Sequence, residues 1–257
     1  MARAVLAVLA AASMAACSFG GGTSTCYAQP SCGVGSPRTT LTVFAAASLQ
    51  PAFERVDKLL EPNPHITFNF AGTQTLVAQL TQGAPADVFA SADLQHMNQL
   101  VSAGLIQGQP RVFARNSLEI AVARGNPKGI HGLTDLARPG LVVVLADPSV
   151  PVGKYAAQAL KNAGITVHPA SLEQQVTGVL SKVALGEADA GIVYVNDIVT
   201  SGQVEGVAIP ADQNVVAEYP IAVLTSAQNK TGANQFINVL LSGGGQTILL
   251  ATGFQGV

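Results

Sequence analysis

From Leu41 to the end of the chain, apolar runs of strand length alternate with longer segments whose apolar positions recur at helical spacing. LTVFAAA (41–47) predicts a strand and SLQPAFERVDKLL (48–60) an amphipathic helix, followed by a strand at ITFNFAG (66–72) and a helix at TQTLVAQLTQG (73–83). The alternation continues with a strand at DVFASA (87–92), a helix from Leu94 to Ala103, a strand at LVVVLAD (141–147) and a helix from about Gly153 to Ala163. LEQQVTGVLSKVALG (172–186) reads as one further helix and AGIVYV (190–195) as a buried strand. This order predicts an α/β protein with helices packed on mostly parallel sheets. Two apolar strands with polar flanks, SLEIAVARG (117–125) and EYPIAVLTS (218–226), are candidates for crossing between two lobes. Two crossings make the first lobe discontinuous, 41–118 with 222–257, and leave 119–221 as the second; a single sheet is the alternative.

The N-terminal stretch departs from this pattern. Arg3 precedes an almost uninterrupted apolar run from Ala4 to Ala16, shorter than the ~20 apolar residues that cross a bilayer. Residues 1–16 are therefore expected to be an export signal. Met14-Ala15-Ala16-Cys17 resembles a lipoprotein processing box, in which Cys17 is acylated and becomes the mature N-terminus; simple cleavage after a small residue is the alternative. The Gly-, Ser-, Thr- and Pro-rich residues 17–40 read as a flexible tether that holds the body at the outer face of the cell membrane. The chain has 3 cysteines. With Cys17 lipidated, Cys26 and Cys32 are left to pair in an oxidising compartment, the alternative being two unpaired thiols.

Composition narrows the chemistry. Of 257 residues 48% are hydrophobic and 11% charged, with a net charge of -2. That gives enough apolar material for a core and no basic footprint for nucleic acid. The overall field repels anions weakly, so any anion site must draw on local dipoles. Small hydroxyls stand where strands run into helices: Ser48 after the first strand, Thr73 after Gly72 at the second, with DPSVPVG (147–153) opening a helix in the second half. Helix N-termini present N–H groups without intrahelical partners and favour negative charge, so several converging would cradle an oxyanion. Ser and Thr are equally ordinary N-caps, and Tyr194, closing AGIVYV, is as readily a core residue as a ligand donor.

Signatures of catalysis are missing: no G-x-S-x-G surrounds Ser48, and no G-x-x-x-x-G-K-[ST] loop occurs. A secreted serine hydrolase using Ser48 would need a histidine within hydrogen-bond reach. His65, His96, His131 and His168 are scattered singly without metal-ligand spacing and are expected at the surface. Asp87 and Asp93 bracket a strand that would hold them ~20 Å apart, too far for a shared acid/base pair.

FAAASL (44–49), FAGTQTLVAQL (70–80), GAPADVFASAD (83–93) and GIVYVND (191–197) together resemble the molybdate-binding proteins of molybdate ABC transporters, over essentially all of 41–257. The resemblance implies a type II periplasmic-binding-protein fold: two α/β lobes with mixed sheets, joined by two crossing strands around a ligand cleft. It implies hydroxyl donors at Ser48, Thr73 and Tyr194 and backbone donors at Val152 and Val176. Thr73 stands where the family usually has serine and Val152 where it usually has alanine; both add bulk near the cleft. Further implications are molybdate and tungstate as ligands, no cofactor, no bare metal ion, no catalysis, and delivery by a monomer to ABC permease subunits. A binder of sulfate or another oxyanion is the alternative within the class, and a structural surface lipoprotein the alternative outside it.

Overall fold

Burial decides how each strand is used, and the strand predicted first has five of its six residues buried. The computed structural model describes residues 40–60 and 65–257; the expected export signal, Cys17, Cys26 and Cys32 lie outside the described residues. The first half runs β1 (Leu41–Ala46), a 3-10 turn at Ala47–Leu49, α1 (Gln50–Leu60), β2 (Ile66–Ala71), α2 (Thr73–Thr81), β3 (Val88–Ala90), α3 (Leu94–Ser102) and the long β4 (Ile106–Ala123). After a 3-10 turn at Leu133–Ala137 come β5 (Val143–Ala146), α4 (Pro151–Asn162), β6 (Ser171–Glu173), α5 (Val176–Ala184), β7 (Ala190–Tyr194), α6 (Val195–Ser201) and β8 (Val204–Ala208). The chain closes with β9 (Val216–Leu224), α7 (Lys230–Leu241) and α8 (Gly243–Ala251).

β1 is apolar on both faces because it lies between β2 and β3, parallel to both, in a sheet covered by helices. β9 joins that sheet antiparallel to β3 and to the first part of β4. In the second sheet β5 lies between β6 and β7, parallel to both, while the second part of β4 pairs antiparallel with β7 and β8. β4 therefore serves two sheets, with Ser117 opposite Val216 in one and Leu118 opposite Tyr194 in the other. The result is the expected mixed α/β architecture with two lobes.

Phe53 anchors α1 to its sheet, meeting Phe236 edge-on at 5.2 Å and Phe113 at 5.8 Å. Full burial of such a side chain is worth about 1.5–3 kcal/mol, and it holds the α1 entry turn, which carries Ser48, against β1.

Several elements differ from expectation. The predicted helix 172–186 begins as strand β6, since Leu172 pairs with Leu145, and α5 starts only at Val176. Gln and Glu are good helix formers, but a free sheet edge beside β5 overrides that preference. The first crossing strand is 18 residues long and starts at Ile106 rather than 117. His96 is buried, not at the surface: the Asp93 carboxylate caps α3 through the His96 N–H (2.8 Å) and meets its ring Nδ1 (2.9 Å). Among the described residues no helix is long and apolar enough to cross a membrane.

Candidate functional site

The carboxyl ends of β1, β2, β5 and β6 run into helices, the edge at which open α/β sheets bind ligands. Around these ends is a cavity of about 20 Å³, lined by residues that include Ser48, Thr73, Val152, Val176 and Tyr194. All five residues singled out in the sequence are thus brought to one place, across distances of up to 146 residues of chain (194 − 48). The volume suits one compact ion and nothing of sugar size.

Each residue arrives by a local route. Ser48 sits in the 3-10 turn between β1 and α1, its Oγ 3.2 Å from the Tyr219 hydroxyl. Thr73 is the first residue of α2, and its Oγ1 accepts from the Ala92 N–H at 3.3 Å. Val152 lies in the first turn of α4, where Pro151 has no N–H and leaves Val152 as the first donor of the helix. Gly153 behind it must be glycine, since a Cβ would fall 2.1 Å from the Asp147 carbonyl oxygen. Val176 opens α5. Tyr194 ends β7 and caps α6, its backbone N–H donating to the Asp197 carboxylate at 3.0 Å.

The helix starts differ in how they are capped. α2, α4 and α5 follow Gly72, Val150 and Gln175, and none of the three receives a side-chain cap. Their first N–H groups, with the positive ends of the helix dipoles, stay available to the cavity. The lining holds hydroxyls and one amide but no charged side chain. Among the described residues no group of three His, Cys, Asp or Glu could hold a metal ion.

The Tyr194 hydroxyl is buried without a hydrogen-bond partner among the described residues, and its ring meets that of Tyr219 edge-on at 5.8 Å. Such a group costs stability unless something at the site meets it. Burial pushes its ionisation well above the usual tyrosine range, so it remains a donor. Burial likewise raises Asp197, to about 7, against the hydrogen bond from the Tyr194 N–H.

The two lobes touch over the cavity. Gln74 Nε2 donates to the Gln174 carbonyl at 2.8 Å, beside Gly72, where a Cβ would lie 2.5 Å from the same oxygen. Lys154 Nζ reaches Gln95 Oε1 at 2.8 Å and Asp93 Oδ2 at 3.7 Å. Asp93 lies below the usual carboxylate range: burial raises it, but the His96 hydrogen bonds and the His96 and Lys154 charges outweigh that.

Ser48 has Tyr219, not a histidine, at its hydroxyl, so the constellation of a serine hydrolase is not assembled. Asp87 is occupied by the N–H groups of Thr42, Gln228 and Asn229, and neither it nor Asp93 lines the cavity. Sequence reasoning did not find Gln175 or Ala92, nor the supporting side chains Asn116, Asn196 and Tyr219, which carry no local signal and are supplied by distant strands and by α6.

Residues 41–255 match the family described as bacterial extracellular solute-binding protein. The molybdate-binding protein ModA of Mycobacterium tuberculosis is 43% identical over 237 residues, covering 87% of this chain and 91% of that protein. A periplasmic molybdate-binding protein of Azotobacter vinelandii superposes with a TM-score of 0.73 at 22% identity, covering 83% of this chain and 98% of that one. The sulfate-binding protein SubI of Mycobacterium tuberculosis superposes at 0.78 with 20% identity, covering 85% and 87%. The two superpositions speak for the fold.

Proposed function

The chain belongs to the family of bacterial extracellular solute-binding proteins, which bind and do not catalyse, and from that premise we propose that its cavity captures molybdate for delivery to an ABC permease. The observation that carries the reading is a cavity the size of one small ion on which three uncapped helix N-termini and three hydroxyls converge, with no charged side chain in its lining. Ser48, Thr73 and Tyr194 act as hydroxyl donors and Val152 and Val176 as backbone donors. Hydrogen bonds to a charged partner contribute roughly 1.5–3 kcal/mol each. Several of them, offset by desolvation and lobe closure, support binding tighter than about 1 μM.

The same donor set explains selectivity. Hydrogenphosphate carries a proton that needs an acceptor, and the lining offers no carboxylate to take it. Tungstate is nearly the same size as molybdate and binds alongside it. The reading takes 41–118 with 222–257 as one lobe and 119–221 as the other; the pairing of β9 with β3 favours moving the second boundary toward Val216. Closure of the lobes on the ion is a hinge motion at these crossings. The protein works as a monomer tethered through lipid on Cys17, a point that the mass of the mature N-terminal peptide checks.

Calorimetric titration of the mature body with molybdate, tungstate, sulfate and phosphate in oxyanion-free buffer tests the reading. One-to-one binding of molybdate and tungstate without phosphate binding is expected. A second reading, sulfate as the ligand, rests on the lining without charged side chains, which a sulfate dianion also satisfies; tight sulfate binding with weak molybdate binding would establish it in place of the first.

A further inference from the structure

Resting on the reading of the cavity as an oxyanion site, we propose that Tyr219 sets the direction of the Ser48 hydroxyl so that its proton faces the cavity, and that this direction selects fully deprotonated oxyanions. A serine hydroxyl has one proton and two lone pairs. It attracts an anion only with the proton turned toward it; turned the other way, it presents a lone pair.

The 3.2 Å contact between Ser48 Oγ and the Tyr219 hydroxyl leaves either atom as donor; a network of amides fixes the Ser48 backbone, and the burial of Tyr219 decides between the two directions. The Ser117 backbone N–H can only donate, and it meets Asn116 Oδ1 at 2.9 Å, so the Asn116 amide nitrogen must face the other way. That nitrogen donates to Asn196 Oδ1 at 2.7 Å. Asn196 Nδ2 in turn donates to the Ser48 backbone carbonyl at 2.7 Å, a group that can only accept. Two backbone groups of fixed polarity thus orient both amides.

Tyr219 is fully buried, and the acceptor within hydrogen-bond reach of its hydroxyl among the described residues is Ser48 Oγ, so a Tyr219 proton turned elsewhere would be left unmet. Tyr219 therefore directs its single proton to Ser48 Oγ, and the Ser48 proton is left for the cavity. Ser48 is 3% exposed and Asn116, Asn196 and Tyr219 are fully buried, so water does not compete for these bonds. Burial also pushes Tyr219 far above the usual tyrosine range and keeps its proton in place. Thr73 shows the same logic in simpler form, since the Ala92 N–H can only donate to its Oγ1 and leaves the threonine proton for the cavity.

The network spans both crossing strands and both sheets: Asn116 comes from β4, Tyr219 from β9, Asn196 from α6, and Ser48 from the turn after β1. Tyr219 is accordingly a positioning residue, acting through Ser48 rather than on the ion. Without its proton, Ser48 is free to rotate and to accept from a protonated oxyanion.

The test is a double-mutant cycle on the full mature chain, with Tyr219→Phe, Ser48→Ala and the double variant titrated calorimetrically with molybdate and with phosphate. Tyr219→Phe is expected to weaken molybdate binding about 10-fold and to narrow the molybdate-to-phosphate ratio, yet to change neither by more than about 2-fold when Ser48 is already alanine. Equal weakening in both backgrounds, or an unchanged affinity and ratio in Tyr219→Phe, overturns the inference while leaving the site reading intact. An unmodified protein that binds no oxyanion overturns both. A readout on the unmodified protein is the Tyr219 hydroxyl proton in nuclear magnetic resonance, expected to cross-relax with the Ser48 β-protons; cross-relaxation with the Asn116 β-protons instead overturns the inference without any variant.

Discussion

Helices α3, α7 and α8 begin in the conventional way, with Asp93, Asn229 and Ser242 accepting from the N–H groups of His96, Gly232 and Gly245. Helices α2, α4 and α5 begin with Gly72, Val150 and Gln175 and receive no side-chain cap. The first set lies outside the cavity lining, whereas the second opens into it. A side-chain cap stabilises a helix by about 0.5–2 kcal/mol, so the cavity helices forgo local stability and keep their donors free. Stability and binding are thus assigned to different helix ends of one chain.

The comparison breaks most sharply if a cavity helix is given its own cap. Gln175→Asp supplies α5 with an acceptor and sets a negative charge against the site, and it is expected to lower molybdate affinity by more than about 100-fold while leaving the unfolding midpoint unchanged or raised. Calorimetry with thermal unfolding reads both; retained affinity would mean that the α5 end is not part of the site. Ser48→Ala and Tyr194→Phe should each weaken binding by about 1–3 kcal/mol without unfolding the protein. Tyr194→Phe removes a buried hydroxyl that has no partner among the described residues, so its unliganded form should be at least as stable as the parent, which denaturant titration checks.

At a capped helix the prediction reverses. Asn229→Ala removes the α7 cap and is expected to cost about 0.5–2 kcal/mol of stability with no change in affinity; a matching loss of binding would erase the distinction between the two sets. The smallest effect concerns pH. Asp197 has its folded value raised from 3.8 to about 7, so the folded state holds more protons than the unfolded state between those values, and stability falls as pH rises through that window. Asp197→Asn should flatten the stability profile between about pH 4 and 7, and an unchanged slope would mean that the carboxyl is not titrating there.

Much of the cavity was legible because its parts are local. Ser48 and Thr73 stand at strand-to-helix junctions that apolar spacing alone reveals, and Tyr194 closes an apolar strand. Val152 and Val176 came only from the family resemblance, since a backbone donor leaves no mark in side-chain chemistry. The start of α5 was misread because Glu173, Gln174 and Gln175 suit a helix, while pairing of β6 with β5 is a tertiary fact. His96 was misplaced for a related reason: its burial follows from how α3 packs, not from its own polarity.

Taken alone, the chain determined the order of strands and helices, the hydroxyls at their junctions and the low charge that forces an anion site to rely on dipoles. These depend on residues a few positions apart, where spacing and propensity act directly. Only the tertiary structure decided that four strand ends share one cavity and which way the Ser48 proton points. That direction depends on Tyr219, 171 residues away in sequence, while Asn196, 148 residues away, holds the Ser48 backbone. A hydroxyl carries no polarity of its own; it takes one from neighbours that only the folded chain brings within reach.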